Sequence, residues 1–178
     1  GMHNVENYMA AIGAVGSMVS RNVILEIAKS FGGVAHRIEL IRTLHNVSYY
    51  NSSIDSSPNR TINTLSVFPE KVILIAGGKD KGIPYDALGK PLLEHVKYLV
   101  LIGATSDKIY ESLKTAAGGE IPIPVYRAKD YPDAVTRAQA ESQPGDVVLL
   151  SPASTSFDLF RNFEERGNLF RTIVENLK

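Results

Sequence analysis

Three short segments of the sequence carry residues that suit small anions, glycines with lysines in one of them and hydroxyl side chains in the other two. The first is Gly77-Gly78-Lys79-Asp80-Lys81-Gly82, where glycines let the backbone approach a ligand and two lysines add positive charge. The second, residues 151–158, carries four hydroxyl side chains directly after an apolar run. The third, residues 51–59, has serines at positions 52, 53, 56 and 57. Hydroxyls and unpaired backbone N–H groups at such places hold carboxylates or phosphates.

Each segment also has a purely structural interpretation. Residues 77–82 equally fit a tight strand-to-helix turn with solvated lysines, and the serines of residues 51–59 equally fit a disordered turn. In the last segment, Ser156 or Asp158 fits the N-cap of a following helix. A cap needs only one such side chain, so the additional hydroxyls favour a binding loop. The glycine-rich segment matches neither the Walker A pattern nor G-x-G-x-x-G, so the sequence carries no recognisable P-loop.

Several other kinds of chemistry are excluded by composition. The chain has no cysteine, and its four histidines lack the i,i+4 spacing of a helical metal site. No G-x-S-x-G nucleophile motif is present. The 19 basic and 19 acidic residues balance to a formal net charge of +0, which argues against a broad nucleic-acid or membrane surface. No apolar run approaches the roughly 20 residues that cross a bilayer, and the N-terminus does not resemble a secretory signal.

The apolar pattern predicts an α/β fold with an open, mostly parallel Rossmann-like sheet. Runs at 71–76, 97–102 and 147–150 are apolar, apart from the lysine that opens each of the first two, and are separated by helical segments, which is typical of strands buried on both faces by helices. Alternation from Arg37 to Arg42 and a turn at His45-Asn46 predict an antiparallel hairpin at the start. Ligands of such sheets bind beyond the carboxyl ends of the strands, so the candidate binding loops are 51–59, 77–82, 103–106 and 151–158.

The first 33 residues form a different kind of segment. Apolar residues recur there at helical spacing, a second helix is predicted over Asn22 to Ser30, and Gly32-Gly33 is the best internal boundary. We therefore expect a helical part at 1–33 and the α/β domain at 34–178. Gly1 before Met2 resembles a cloning remnant, which predicts an engineered start.

The candidate loops carry a resemblance to a known family, the Mur ligases, and within it to the branch that adds D-glutamate. The run from Gly145 to Ala153 resembles the C-terminal signature of that branch, which continues through Ser156, Asp158, Phe160, Phe163 and Arg166-Gly167. Three more motifs match in the family's order, namely His3-Asn4-x-x-Asn7, His36-Arg37 and Gly77-Gly78-x-Asp80-Lys81-Gly82. The Asp-Asn-Pro-Arg motif of the diamino-acid-adding branch is absent, which favours D-glutamate.

The resemblance implies part of an ATP-dependent, ADP-forming amide ligase of the cytoplasm that serves peptidoglycan synthesis. In that family ATP, with Mg²⁺, phosphorylates the carboxylate of UDP-N-acetylmuramoyl-L-alanine, the amine of D-glutamate attacks, and phosphate leaves. Residues 1–33 would be the helical tail of the central ATPase domain, and residues 34–178 the C-terminal domain that binds the amino acid. The P-loop domain and the N-terminal domain are missing partners. We therefore expect this chain alone to be inactive, with no catalytic or metal-binding residue of its own.

The same resemblance assigns individual residues to two ligands. The positions that match D-glutamate contacts are Lys81, Ser56, Ser156 and Phe163. The positions that match the nucleotide side are Asn4, Asn7, His36, Arg37 and Ser52. Ser52 stands where the family usually has Asp, and Asp55 where a small residue is usual. These departures leave a second interpretation open, a diverged stand-alone ligand-binding module that keeps the fold without the ligase reaction.

Overall fold

Two units make up the chain in the computed structural model, which describes the backbone of residues 2–178 and the side chains of residues 5–178. They are Gly1–Val34 and Ala35–Lys178. The first consists of helices α1 (Met2–Val15) and α2 (Arg21–Ser30). Phe31 caps the C-terminus of α2, and its N–H still donates to the carbonyl of Ile27, so the helix stops just before the predicted glycine pair.

The second unit alternates strands and helices along the chain. Its strands are β1 (Glu39–Leu44), β2 (Val47–Asn51), β3 (Val72–Ala76), β4 (Val96–Leu101), β5 (Val125–Arg127) and β6 (Val147–Leu150). Its helices are α3 (Pro58–Leu65), α4 (Gly89–His95), α5 (Ser106–Ala116), α6 (Tyr131–Ala140) and α7 (Phe163–Glu175), with a 3₁₀ turn at Asp86–Leu88.

The six strands form one sheet in the order β1-β2-β6-β3-β4-β5. Strands β1 and β2 are antiparallel, and every other neighbouring pair is parallel. Strand β6, last in the chain, inserts between β2 and β3. The predicted fold class, a mostly parallel sheet that opens with an antiparallel hairpin, is therefore confirmed.

Positive backbone φ angles define both ends of strand β1. At the hairpin, His45 and Asn46 have φ angles of 50° and 63°, which suits the two central residues of a tight primed turn. The start of the strand differs from the prediction, because β1 begins at Glu39 and not at Arg37. His36 and Ile38 have φ angles of 62° and 50°, in the left-handed region, and an extended strand cannot include them.

Helices cover both faces of the sheet and form two apolar cores. Along β3, Ile73 and Ile75 point to the face packed by α6 and α7, with Phe170 as the largest buried apolar side chain from α7. The alternate residue Leu74 points to the opposite face, which α3, α4 and α5 pack. Because β3 is buried on both sides, it is apolar throughout, and this explains the unbroken apolar run in the sequence.

Candidate ligand-binding site

The four candidate loops leave the sheet at one edge. Strands β2, β6, β3 and β4 are parallel neighbours, so their carboxyl ends point the same way. The loops that follow them begin at residues 52, 151, 77 and 102. This is the edge at which open α/β sheets bind ligands. The topology thus brings together the loops that the sequence singled out.

The glycine-rich loop is joined to the last loop by backbone hydrogen bonds. Gly77 N–H donates to the carbonyl of Pro152 at 2.8 Å, and Lys79 N–H donates to that of Thr155 at 2.9 Å. The hydroxyl of Thr155 donates back to the carbonyl of Lys79 at 3.1 Å. Gly77 has φ +119°, and a Cβ there would lie 1.9 Å from the carbonyl oxygen of Ile102. Only glycine fits that position, because both the backbone angle and the space exclude a side chain.

Asp80 holds the tip of the glycine-rich loop. Its carboxylate accepts a hydrogen bond from Gly82 N–H at 2.8 Å and another from the ammonium of Lys108 on α5. The bond from Lys108 lowers the pKa of Asp80 below its ordinary value of 3.8, so the carboxylate is ionised at neutral pH. The neighbouring Lys81 is exposed and forms no ion pair with another described residue. The glycine-rich loop therefore exposes Lys81 to solvent, and Asp80 of the same loop does not neutralise its charge.

Buried hydroxyls connect three of the loops. The Thr105 hydroxyl lies 2.7 Å from that of Ser154, which lies 2.8 Å from the phenol oxygen of Tyr85. Thr105 also accepts from Gly78 N–H at 3.1 Å and lies 3.2 Å from the Gly78 carbonyl. One donor order satisfies every group: Tyr85 donates to Ser154, Ser154 to Thr105, and Thr105 to the Gly78 carbonyl. Burial raises the pKa of Tyr85, which favours the protonated donor.

The loop after β2 divides its serines between the interior and the surface. The Ser52 hydroxyl is fully buried and accepts a hydrogen bond from Ile38 N–H at 3.3 Å. The Ser53 hydroxyl is also fully buried and donates to the carbonyl of Phe163 at 2.8 Å. Ser56, by contrast, is half-buried. The first two serines therefore hold neighbouring segments in place, whereas Ser56 lies where a ligand can reach it.

Asn51 fixes the ring of His36. Its side-chain oxygen accepts from Ser53 N–H at 3.0 Å, so its amide nitrogen must face the other way. That nitrogen donates to the carbonyl of Gly167 at 3.2 Å and lies 2.9 Å from Nδ1 of His36. Nδ1 is therefore the acceptor, and the neutral ring carries its proton on Nε2. The ring packs edge-on against Phe163, with 6.1 Å between centroids.

The turn that carries Arg37 is fixed by a hydrogen bond to Glu39, the first residue of β1. His36 N–H donates to the Glu39 carboxylate at 2.9 Å, and Arg171 of α7 pairs with the same carboxylate. Partial burial works to raise the pKa of Glu39, but these hydrogen bonds and charges outweigh it and hold the pKa below its ordinary value of 4.5. Arg37 itself is exposed. The turn thus offers a guanidinium to solvent on a backbone that is fixed at both ends.

Arg166 belongs to the signature that resembles the family, but the sequence predicts no role for it. The structure buries it completely, and its guanidinium bonds to residues of two different loops. A signal was available, because Arg166 lies three residues after Phe163 and four before Phe170, on the inward face of α7. A lone charge on an apolar helix face indicates a buried, fully hydrogen-bonded cation.

The structure corrects the capping role offered for the last loop. Ser156 is buried, and its carbonyl accepts from Leu159 and Phe160 N–H. Neither Ser156 nor Asp158 caps α7, because the N-cap is Asn162, whose side chain accepts from Glu165 N–H at 2.8 Å. The hydroxyls of this loop are therefore not explained by helix capping.

The residues predicted for the nucleotide side are distributed over both units. His36, Arg37 and Ser52 lie in the second unit, in the contacts described above. Asn7 is exposed on α1 of the first unit, and the side chain of Asn4 lies outside the described residues. Within residues 5–178, no group of three histidine or carboxylate side chains could hold a metal ion. In the described part of the chain, no helix is both long enough and apolar enough to span a bilayer.

Curated relatives align with the whole chain. The UDP-N-acetylmuramoylalanine–D-glutamate ligase of Ruminiclostridium cellulolyticum is 55% identical over 100% of this chain. The enzyme of the same name from Acetivibrio thermocellus is 52% identical, again over 100% of the chain. In both cases the chain spans 39% of the length of the relative.

Solved structures share the fold at low sequence identity. Folylpolyglutamate synthase of Mycobacterium tuberculosis has a TM-score of 0.51 and 14% identity, covering 78% of this chain and 32% of that one. A ligase domain from Haemophilus ducreyi has a TM-score of 0.50 and 15% identity, covering 76% of this chain and 98% of that one. The family profile for "Mur ligase, glutamate ligase domain" matches residues 36–154. That match covers more than half of the chain, and the chain belongs to the Mur ligase family through its glutamate ligase domain.

Proposed function

We propose that this chain is the C-terminal, D-glutamate-binding part of a cytoplasmic ATP-dependent ligase that joins D-glutamate to UDP-N-acetylmuramoyl-L-alanine in peptidoglycan synthesis. The observation that carries the proposal is the sheet order, in which the loops after β2, β6 and β3 are neighbours. Those loops contain Ser56, Ser156 and Lys81. Family membership and relatives of that name, 55% and 52% identical over the whole chain, support the same conclusion.

The chemistry of D-glutamate fits these side chains. The amino acid brings two carboxylates, which require a cation and several donors. In this proposal the ammonium of Lys81 pairs with one carboxylate, and the hydroxyls of Ser56 and Ser156 donate to carboxylate oxygens. The ring of Phe163, already packed against His36, forms an apolar wall beside them. These residues hold D-glutamate so that its amine can attack an activated carboxyl group presented to it.

In this reaction ATP supplies the phosphoryl group that activates the carboxylate of UDP-N-acetylmuramoyl-L-alanine, and Mg²⁺ neutralises the negative charge of the phosphates. On the nucleotide side we propose Arg37, whose exposed guanidinium suits a phosphate, and His36, whose Nε2–H is set by Asn51. Asn4 and Asn7 remain proposed contacts from the helical segment. Ser52 fits this role through the backbone it supports, because its hydroxyl already accepts from Ile38.

We further propose that residues 1–33 are the helical tail of a central ATPase domain. This first unit exposes large apolar side chains on both helices, among them Met9 and Ile27, and also Phe31 directly after α2. Exposed apolar surface of this kind marks a contact with another domain or protein. The missing partners in this proposal are the P-loop domain, which would hold ATP and Mg²⁺, and the N-terminal domain.

A hybrid enzyme tests the function directly. This chain replaces the matching 39% of the R. cellulolyticum relative, and ADP release is measured against D-glutamate concentration. We expect turnover that requires D-glutamate and is not supported by L-glutamate. Binding of D-glutamate by this chain without turnover in the hybrid would favour the diverged binding module.

Two lysines of one loop test the residue assignment. In the hybrid enzyme, Lys81→Ala is expected to raise the KM for D-glutamate by about 30-fold or more, because the substitution leaves a desolvated carboxylate of the substrate without its cation. Lys79→Ala is the matched control, since its side chain is exposed and its loop contact with Thr155 uses backbone atoms of Lys79. We expect less than about a twofold change there. Equal effects of the two substitutions contradict the assignment.

A further inference from the structure

The buried guanidinium of Arg166 joins two of the ligand loops. Its Nε donates to the hydroxyl of Ser53 at 2.9 Å, and one terminal nitrogen donates to the Ser53 carbonyl at 2.8 Å. The other terminal nitrogen donates to the carbonyl of Ser154 at 3.0 Å. Ser53 lies in the loop after β2 and Ser154 in the loop after β6. One planar group therefore spans the gap between the two loops.

These three bonds go to neutral acceptors. Arg166 is 0% exposed, and the ion pairs among the described residues do not include it. Burial lowers the pKa of Arg166 and outweighs the charges of Asp158 and Asp55, which act on the guanidinium only from beyond ion-pair distance. Such a buried cation is costly, and an apolar side chain would fill the same volume without that cost. What the guanidinium adds is a rigid fork with several fixed donor directions, which neither methionine nor lysine supplies.

Ser154 is held from its other side as well. Its hydroxyl belongs to the buried chain with Thr105 and Tyr85, which fixes it to the loops after β4 and β3. Arg166 extends this connection across to Ser53. Ser156 is two residues beyond Ser154, and Ser56 is three residues beyond Ser53. The Ser151 hydroxyl also joins these loops nearer to the strand ends, where it donates to the Asp55 carboxylate at 2.7 Å. Arg166 is the link that reaches the outer parts of both loops, at Ser53 and Ser154.

We propose that Arg166 is a positioning residue that sets the distance between the loops after β2 and β6, so that Ser56 and Ser156 can contact one dicarboxylate amino acid. The geometric part concerns this chain alone, and its consequence for D-glutamate rests on the proposed function. Misplacement by about 1 Å costs up to about 100-fold in affinity or rate at such sites.

Amide hydrogen exchange of the 178-residue chain tests the geometric part. Two probes lie on the joined loops: Ser56 N–H, bonded to the carbonyl of Ile54, and Lys79 N–H, bonded to that of Thr155. In Arg166→Lys, which keeps the charge but not the fork, we expect exchange at both probes to rise at least about tenfold. Amides in the centre of β4 should keep their wild-type rates, because a general loss of stability would accelerate them too.

A titration with D-glutamate followed by NMR tests the consequence for the ligand. We expect the Kd of Arg166→Lys to exceed that of the wild type at least about tenfold. Arg42→Met is the matched control, because Arg42 also holds α7 but bonds to its last turn, at the carbonyls of Val174 and Glu175. The control should keep the wild-type Kd even if it lowers stability by the same amount.

The possible outcomes separate the two proposals. A folded Arg166→Lys protein with wild-type exchange at both loop probes and wild-type affinity overturns the positioning role. If the wild type itself binds no D-glutamate, the proposed function loses its support, while the exchange data still decide the role of Arg166. If Arg166 variants do not fold, Ser53→Ala, which removes one acceptor of the fork, is measured in the same way and must loosen the same two probes.

Discussion

At the scale of single residues, the edge of the sheet contains two kinds of serine. Ser52 is fully buried and its hydroxyl satisfies the N–H of Ile38, a residue held at φ 50°. Ser56 is half-buried and its side chain lies nearer to solvent. Residue type alone does not distinguish them, since both are serines of one loop. Burial and bonding partners assign the first to the framework, whereas the second is the serine that we propose as a ligand contact.

Alanine substitutions should separate these two roles. Ser52→Ala leaves the buried N–H of Ile38 without an acceptor, and we expect it to lower the free energy of unfolding by about 1–3 kcal/mol. Ser56→Ala should change it by less than about 0.5 kcal/mol, because no buried group loses its partner. Urea denaturation of the two variants measures both values. Equal losses of stability would contradict the division.

At the scale of elements, the last loop and α7 meet at Asn162. This residue, and not Ser156 or Asp158, accepts from the N–H of Glu165 and ends the loop. The segment between Ser156 and the helix contains its own turn, in which the Ser156 carbonyl accepts from Leu159 and Phe160. Because this turn separates Ser156 from the helix, the hydroxyls of the loop lie too far from the start of α7 to cap it.

Removal of this cap has a defined cost. Asn162→Ala is expected to lower the free energy of unfolding by about 1 kcal/mol and to accelerate hydrogen exchange at Glu165 N–H. Asp158→Ala is the control, since it removes the carboxylate that the sequence offered as a cap. The control should leave exchange at Glu165 unchanged. A faster Glu165 amide in Asp158→Ala, with no change in Asn162→Ala, would place the cap at Asp158.

The sequence predicted the elements whose pattern is local. Strands β3 and β6, and β4 apart from Lys97, are apolar because both faces are covered, and the hairpin turn lies at His45-Asn46 as expected. It did not predict the true start of β1. The left-handed conformations at His36 and Ile38 are stabilised by hydrogen bonds to Glu39 and Ser52, and the second of these partners is 14 positions away in the chain.

In the candidate site too, the sequence predicted what depends on local pattern and missed what depends on contacts distant in the chain. Its four loops were predictable, because they follow parallel strands and such loops share an edge. The role of Arg166 was not, since one of its acceptors, Ser53, is 113 positions away in the sequence. A periodic pattern shows that a charged residue faces inward, but only the folded chain shows which acceptors it meets.

At the scale of the whole molecule, buried tyrosines couple the fold of the second unit to alkaline pH. Tyr131, the first residue of α6, is 4% exposed and packs edge-on against Phe160, with 5.4 Å between ring centroids. Burial raises its pKa to about 12, although the positive charge of Arg166 acts in the opposite direction. Burial also raises the pKa of Tyr49 and Tyr85 in the same unit.

Stability should therefore fall as the pH rises through this range. The folded state keeps Tyr131 protonated up to about pH 12, whereas the unfolded chain releases that proton near the ordinary value of 10. The contribution is fully present below pH 10 and is lost between about pH 10 and 12, because there the unfolded state binds fewer protons. We expect Tyr131→Phe to reduce the slope of unfolding free energy against pH in this interval. Some slope should persist from Tyr49 and Tyr85.

Chemical denaturation at a series of pH values from 8 to about 12 measures this slope. Phe160→Leu is the matched control, because it disturbs the same aromatic pair without removing a phenol, and it should retain the wild-type slope. A slope in Tyr131→Phe as steep as in the wild type would show that the phenol of Tyr131 titrates alike in both states. The second unit would then have to admit water to the start of α6, next to the guanidinium that joins the two ligand loops.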